Sequence, residues 1–128
     1  MLQSLFHAAS PNFDARDFAV RHNIGENSIW FAGEMGDRGP RTDSGFTLLV
    51  SDAEELSEHL LQLDNFLLNF GEAIQELQQL AIPCRINCGL TVGEEGHFTR
   101  TVTLSPKLMF KLGDLGVEFA VSAYPCFD

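Results

Sequence analysis

The stretch Thr103–Tyr124, TLSPKLMFKLGDLGVEFAVSAY, decides how the chain is built, because it changes period half way along. Ser105-Pro106 is a helix-start signal. A serine hydroxyl accepts from the free N–H groups of a first turn, and a proline at the first helical position lacks only an N–H that has no partner there. Leu108, Met109, Leu112 and Leu115 then recur at helical spacing, with Lys107 and Lys111 outside their stripe. Gly113 or Gly116 can take the left-handed backbone that ends a helix. From Val117 onward the apolar residues alternate, Val117, Phe119, Val121 and Ala123 pointing one way. The stretch therefore reads as a capped helix followed by a strand. Every polar residue in it has a structural duty, and none requires catalysis.

Working outward, IPCRINCGLTV (Ile82–Val92) also alternates. GEEGH (Gly93–His97) reads as a turn, and FTRTVTL (Phe98–Leu104) alternates again, so a hairpin is expected over 82–104. Cys84 and Cys88 share a strand face but stand about 13 Å apart, too far to hold one ion, so both are expected in the core and no metal site is expected.

Upstream, Asp52–Leu80 is the longest helical segment. Leu56, Leu60, Leu63, Leu67, Phe70, Ile74 and Leu77 form one stripe, and Glu55, Glu58, Glu72 and Glu76 lie opposite. Ser51 or Asp52 is the expected cap. Leu61, Phe66 and Leu68 widen the apolar face beyond what one stripe needs. Nearer the start, Ser4–Ser10 is a strand candidate. Asp14 caps a helix in FDARDFAVRHNIG, Phe13 and Phe18 staple it, and Gly25 is its expected left-handed end. NSIWFAG (27–33) and GFTLLVS (45–51) read as strands around a Gly- and Pro-rich loop, Glu34–Ser44. The whole is a single α+β domain over 1–128. Its order is β-α-β-β-α-β-β-α-β: a mainly antiparallel sheet with one long and two short helices on one face.

Composition narrows the function. Eight basic residues stand against eighteen acidic ones, a net charge of −10, which repels nucleic acid and anionic membranes and attracts a basic protein. Phenylalanine occurs 11 times against one Tyr and one Trp, which suits a filled core better than a base-stacking surface. The first residues, MLQSLFHAASPNFD, carry no basic leader before an apolar run, so no signal peptide is expected. Three cysteines argue against a disulfide framework, and a reducing, cytoplasmic setting is expected. His7, His22, His59 and His97 are scattered without metal-helix spacing. The glycines of GEMGDRGP match neither phosphate-loop pattern, yet the loop is densely charged with Glu34, Asp37, Arg38, Arg41 and Asp43.

Several of these segments resemble the bacterial family catalogued as "domain of unknown function 4279". The carriers are FDARDFAVRHNI (13–24), SGFTLLVS (44–51) ahead of a long helix, and the TLSPKLMFKLGDLG helix (103–116) with its strand. The chain departs from that pattern at Phe46, where Trp is common, and in a closing strand with only Glu118 as an acid. The resemblance implies a small cytoplasmic bacterial α+β domain and carries over no catalytic residue.

The sequence thus points to a non-enzymatic, acidic protein-binding domain without cofactor, of the immunity-protein kind that neutralises a cognate toxin such as a nuclease. The expected contact residues are Glu34, Asp37, Arg38, Arg41 and Asp43 in the loop, with Glu55, Glu58, Leu61, Leu68, Glu72 and Glu76 on the long helix. The alternative is a small-molecule binder or minor enzyme, with Arg38, Arg41 or His97 lining its pocket. Monomer and homodimer are both left open.

Overall fold

A computed structural model of the chain describes residues 1–96 and 98–126. Five strands form one sheet: β1 (Leu2–Ser10), β2 (Ile29–Trp30), β5 (Ser44–Asp52), β6 (Cys84–Val92) and β7 (Val117–Pro125), in the spatial order β2-β5-β1-β6-β7. A two-stranded ribbon, β3 (Met35–Gly36) and β4 (Gly39–Pro40), sits in the loop before β5. The helices are α1 (Ala15–Arg21), α2 (Leu56–Gln79) and α3 (Pro106–Asp114), with a 3₁₀ turn at Glu26–Ser28. Three of the four pairings in the main sheet are antiparallel; β6 and β7 run parallel. The architecture is α+β.

The expected hairpin over 82–104 is not formed. β6 pairs along its whole length with β7, from Cys84↔Val117 to Val92↔Pro125, so the edge a hairpin partner would need is taken. A parallel neighbour requires a crossover, and α3 supplies it. Residues 98–104 form no strand and instead run as a strap across the end of the sheet. Their alternation is genuine but has another cause. Arg100, Val102 and Leu104 turn inward while Thr99, Thr101 and Thr103 are exposed. Val102 packs against Leu2, Cys88 and Leu90, and the Arg100 guanidinium bonds Glu54 at 2.9 Å and the Met1 carbonyl oxygen at 3.1 Å.

Caps account for both short helices. The Asp14 carboxylate accepts from Asp17 N–H at 3.1 Å, and the Phe13 and Phe18 rings meet edge-on at 5.5 Å. The Ser105 hydroxyl accepts from Leu108 N–H at 3.1 Å, and Gly116 takes φ +71° beyond the helix end. Three boundaries differ from expectation. The left-handed residue after α1 is Asn23, φ 57°, and not Gly25. Only Ile29–Trp30 of 27–33 pairs as a strand. α2 starts at Leu56 with Glu55 in the cap position and no side-chain cap, because β5 runs on through Asp52 and the Ser51 hydroxyl donates to the His59 carbonyl oxygen at 2.8 Å.

All three helices cover one face of the sheet. The layer between is aromatic: Phe6, fully buried, lies within 5.5–5.9 Å of Phe46, Phe66 and Phe70, and Phe46 stacks on Phe18 at 5.5 Å. Cys84 and Ile86 of β6 line the same layer, and Cys88 and Leu90 form a smaller cluster with Leu2, so the inward placement of both cysteines is borne out. The other face carries His7, Leu49, Arg85, Glu118 and Tyr124, all exposed. No helix of the described residues is long and apolar enough to cross a membrane.

A candidate protein-binding groove between α2 and α3

On the face that the helices cover, α2 lies over the middle of the sheet and α3 over β7, so the two run side by side with a furrow between them. A Lys111–Asp64 ion pair, 2.7 Å, bridges the furrow and divides it. On one side is a depression of about 240 Å³ lined by Leu67, Leu68, Gly71, Gln75, Phe110, Lys111, Asp114 and Leu115. On the other is one of about 430 Å³ lined by Ser57, Leu60, Leu61, Asp64, Thr103, Ser105, Lys107 and Leu108.

The azimuths on α2 explain the chemistry of this surface. Leu61 and Leu68, seven residues apart and therefore nearly aligned, form its outward crest and are 54% and 78% exposed. Glu58 and Glu76 are five turns apart on the shoulder away from α3, and Glu72 lies one turn from Glu76. Phe110 of α3, 72% exposed, faces the crest across the furrow. The result is an apolar trough with an acidic shoulder. Gly71 adds to it: a side chain there would meet nothing within 4 Å, so no packing constraint demands a glycine. In mid-helix glycine costs about 1 kcal/mol relative to alanine, and here that cost leaves the floor of the trough open. Gly71→Ala should therefore raise stability by about 1 kcal/mol in urea unfolding while partly filling the trough.

The expected contact residues fall into two separate groups. Leu61 and Leu68 line the trough, while Glu58 and Glu72 stand on the shoulder outside it, with Glu55 at the start of the same helix. Glu76 is occupied: Arg21 holds its Oε1 at 2.5 Å and His22 Nε2 its Oε2 at 2.9 Å, clasping α1 to α2 and keeping this carboxyl below the usual range. Glu34, Asp37, Arg38, Arg41 and Asp43 sit at the β2 edge of the sheet, the edge opposite β7 and α3. Three of them have internal work, the first being Glu34, whose carboxylate accepts from Phe31 N–H at 2.5 Å. The Trp30 indole N–H donates to Asp43 at 2.9 Å, and the Arg41 guanidinium lies 5.2 Å from the Trp30 ring, which stacks on His7. A shallow polar dish of about 480 Å³ is made by residues 36–43 alone. His97 lies outside the described residues.

Sequence reading missed one constellation. His59 of α2 is buried, its Nε2 2.7 Å from the Ser4 hydroxyl and 4.0 Å from the Cys88 sulfur. The signal was present: His59 sits at helical spacing with Leu56 and Leu63 in the inward stripe, and Ser4 alternates with Leu2 and Phe6. All three side chains are sealed at 1% exposure or less. Burial pushes the Cys88 thiol up and His59 down, and burial lifts the Cys84 thiol to about 11. Buried and neutral, the trio is a polar staple between α2, β1 and β6.

It also sets a pH dependence. Because the folded state depresses His59 below its unfolded pKa of about 6.5, its neutral form is the one that fits the core. Stability should be full above that value and fall as pH drops through it, with nearby Asp52 and Glu54 softening the loss. Melting temperatures of wild type and His59→Leu between pH 8 and pH 5 check this, and the variant should show the shallower slope.

Among the described residues no group of three His, Cys, Asp or Glu side chains converges as a metal site. Comparison with family models, with curated proteins and with solved structures finds no match.

Proposed function

We propose that this protein is a non-enzymatic, acidic protein-binding domain whose trough between α2 and α3 receives a basic polypeptide, in the manner of an immunity protein occluding a toxin. One observation carries the reading: exposed Leu61, Leu68 and Phe110 line a trough beside a shoulder bearing Glu58 and Glu72, on a chain of net charge −10. Apolar anchors set how long a complex lasts, and the surrounding charge sets how fast it forms. A partner of this chemistry presents a short apolar segment flanked by lysine or arginine.

The test is affinity capture from the native host with wild type and Leu68→Glu, followed by kinetics on the captured protein. A basic partner should dissociate about a hundredfold faster from Leu68→Glu. Its association with a Glu55/Glu58/Glu72→Gln triple variant should be slower and less dependent on salt. Binding that is unchanged by both variants would remove the trough as the site.

A further inference from the structure

The outer edge of β7 is the other feature left open. β7 is a nine-residue edge strand, hydrogen-bonded only to β6 among the described residues. Proteins normally blunt such edges with lysine, proline, bulges or short strands. Here the blunting is confined to the ends: Glu118, whose charge is held by Arg85 at 2.6 Å, and Pro125. The centre, FAVSAY (119–124), has no charge, no proline and no glycine, a composition that favours strand addition. Val121 and Tyr124 are each half exposed along it. Met109 of α3 is 51% exposed as well. It lies about 160° around that helix from Lys111, which faces α2, so it is turned toward this edge.

We infer that β7 pairs antiparallel with β7 of a second copy, joining two five-stranded sheets into one continuous sheet. The inference is independent of the trough and of what binds there. The strand itself selects the occupant. With a two-fold axis through Val121, residues equally far before and after it face each other. Phe119 meets Ala123, so the Phe119 ring opposes a small side chain, and Ala120 meets Ser122, a small pair. Glu118 meets Tyr124, so no like charges meet. Val121 meets its own copy, and cross-strand β-branched pairs are favourable. Acids crowd the helix layer and the loops, and two chains of −10 repel across those surfaces. The uncharged centre of β7 is where a second copy can approach.

Sedimentation velocity of the whole chain over a wide concentration range tests this at low and high salt. A reversible dimer is expected that strengthens with salt as the −10 charges are screened, opposite in sign to a basic partner at the trough. Val121→Lys should raise the dimer dissociation constant about a hundredfold with an unchanged circular dichroism spectrum, while Leu68→Glu should leave it alone. Val121→Cys should form an intermolecular disulfide on mild oxidation, since directly opposed antiparallel residues bring their Cα atoms within disulfide reach, about 4.5–5.5 Å. A chain monomeric at every concentration would overturn the inference. So would a dimer that Val121→Lys leaves intact, or a Val121→Cys variant that does not cross-link.

Discussion

Phe6→Ala should destabilise the fold by about 3–5 kcal/mol, a large part of the total stability of a domain this size. Phe6 is 0% exposed and touches rings from two elements besides its own: Phe46 of β5, and Phe66 and Phe70 of α2. Truncation leaves a cavity walled by rigid rings that cannot all collapse into it, because each is pinned by a further neighbour, as Phe46 is by Phe18 at 5.5 Å. Equilibrium urea unfolding reads the effect as a lower midpoint with a similar slope. A loss under about 1 kcal/mol would mean that α2 does not lie on β1 as described.

Gly45→Ala should be nearly as damaging for a different reason, at about 3 kcal/mol. A Cβ at position 45 would collide with the Ala8 carbonyl oxygen and fall 2.7 Å from the Ala9 Cβ. Those are atoms of the paired strand β1, so relief requires the backbone to move and not merely a rotamer. Gly45 also faces Trp30 in the register of β2 on β5, so the same strain reaches the Arg41–Trp30–His7 stack. Tryptophan fluorescence should shift along with the loss of stability. Wild-type stability in Gly45→Ala would contradict the close approach of β5 to β1.

The parts of this fold that were legible in the sequence are those set by local physics. Ser105-Pro106 and Phe13-Asp14 announced two helices because caps and staples act within one turn. The seven-residue stripe on α2 and the alternation of β6 showed their faces because burial imposes a period. What stayed hidden depends on partners distant in sequence. FTRTVTL alternates as a strand does, yet which edge of β6 is free depends on β7, reached only after α3. His59 read only as one of four scattered histidines, because its partners Ser4 and Cys88 lie 55 and 29 residues away in sequence. Among the expected contact residues, Leu61 and Leu68 were visible as apolar surplus on one helix. That Glu76 is spent on Arg21 and His22 was not, because that clasp needs α1 packed against α2. Nor does sequence spacing reveal that the 34–43 loop stands at the β2 edge of the sheet while α3, the other wall of the trough, packs on β7 at the opposite edge.

A basic partner landing in the trough is the central claim. Amide chemical-shift mapping addresses it directly, by titrating the partner captured from the native host into isotopically labelled protein. The proposal predicts that shifts concentrate on α2 from Leu60 to Gln75 and on α3 from Lys107 to Leu115, with the Gly71 amide among the most affected. Shifts confined to the 34–43 loop or to the open face of the sheet, with α2 and α3 silent, would contradict it.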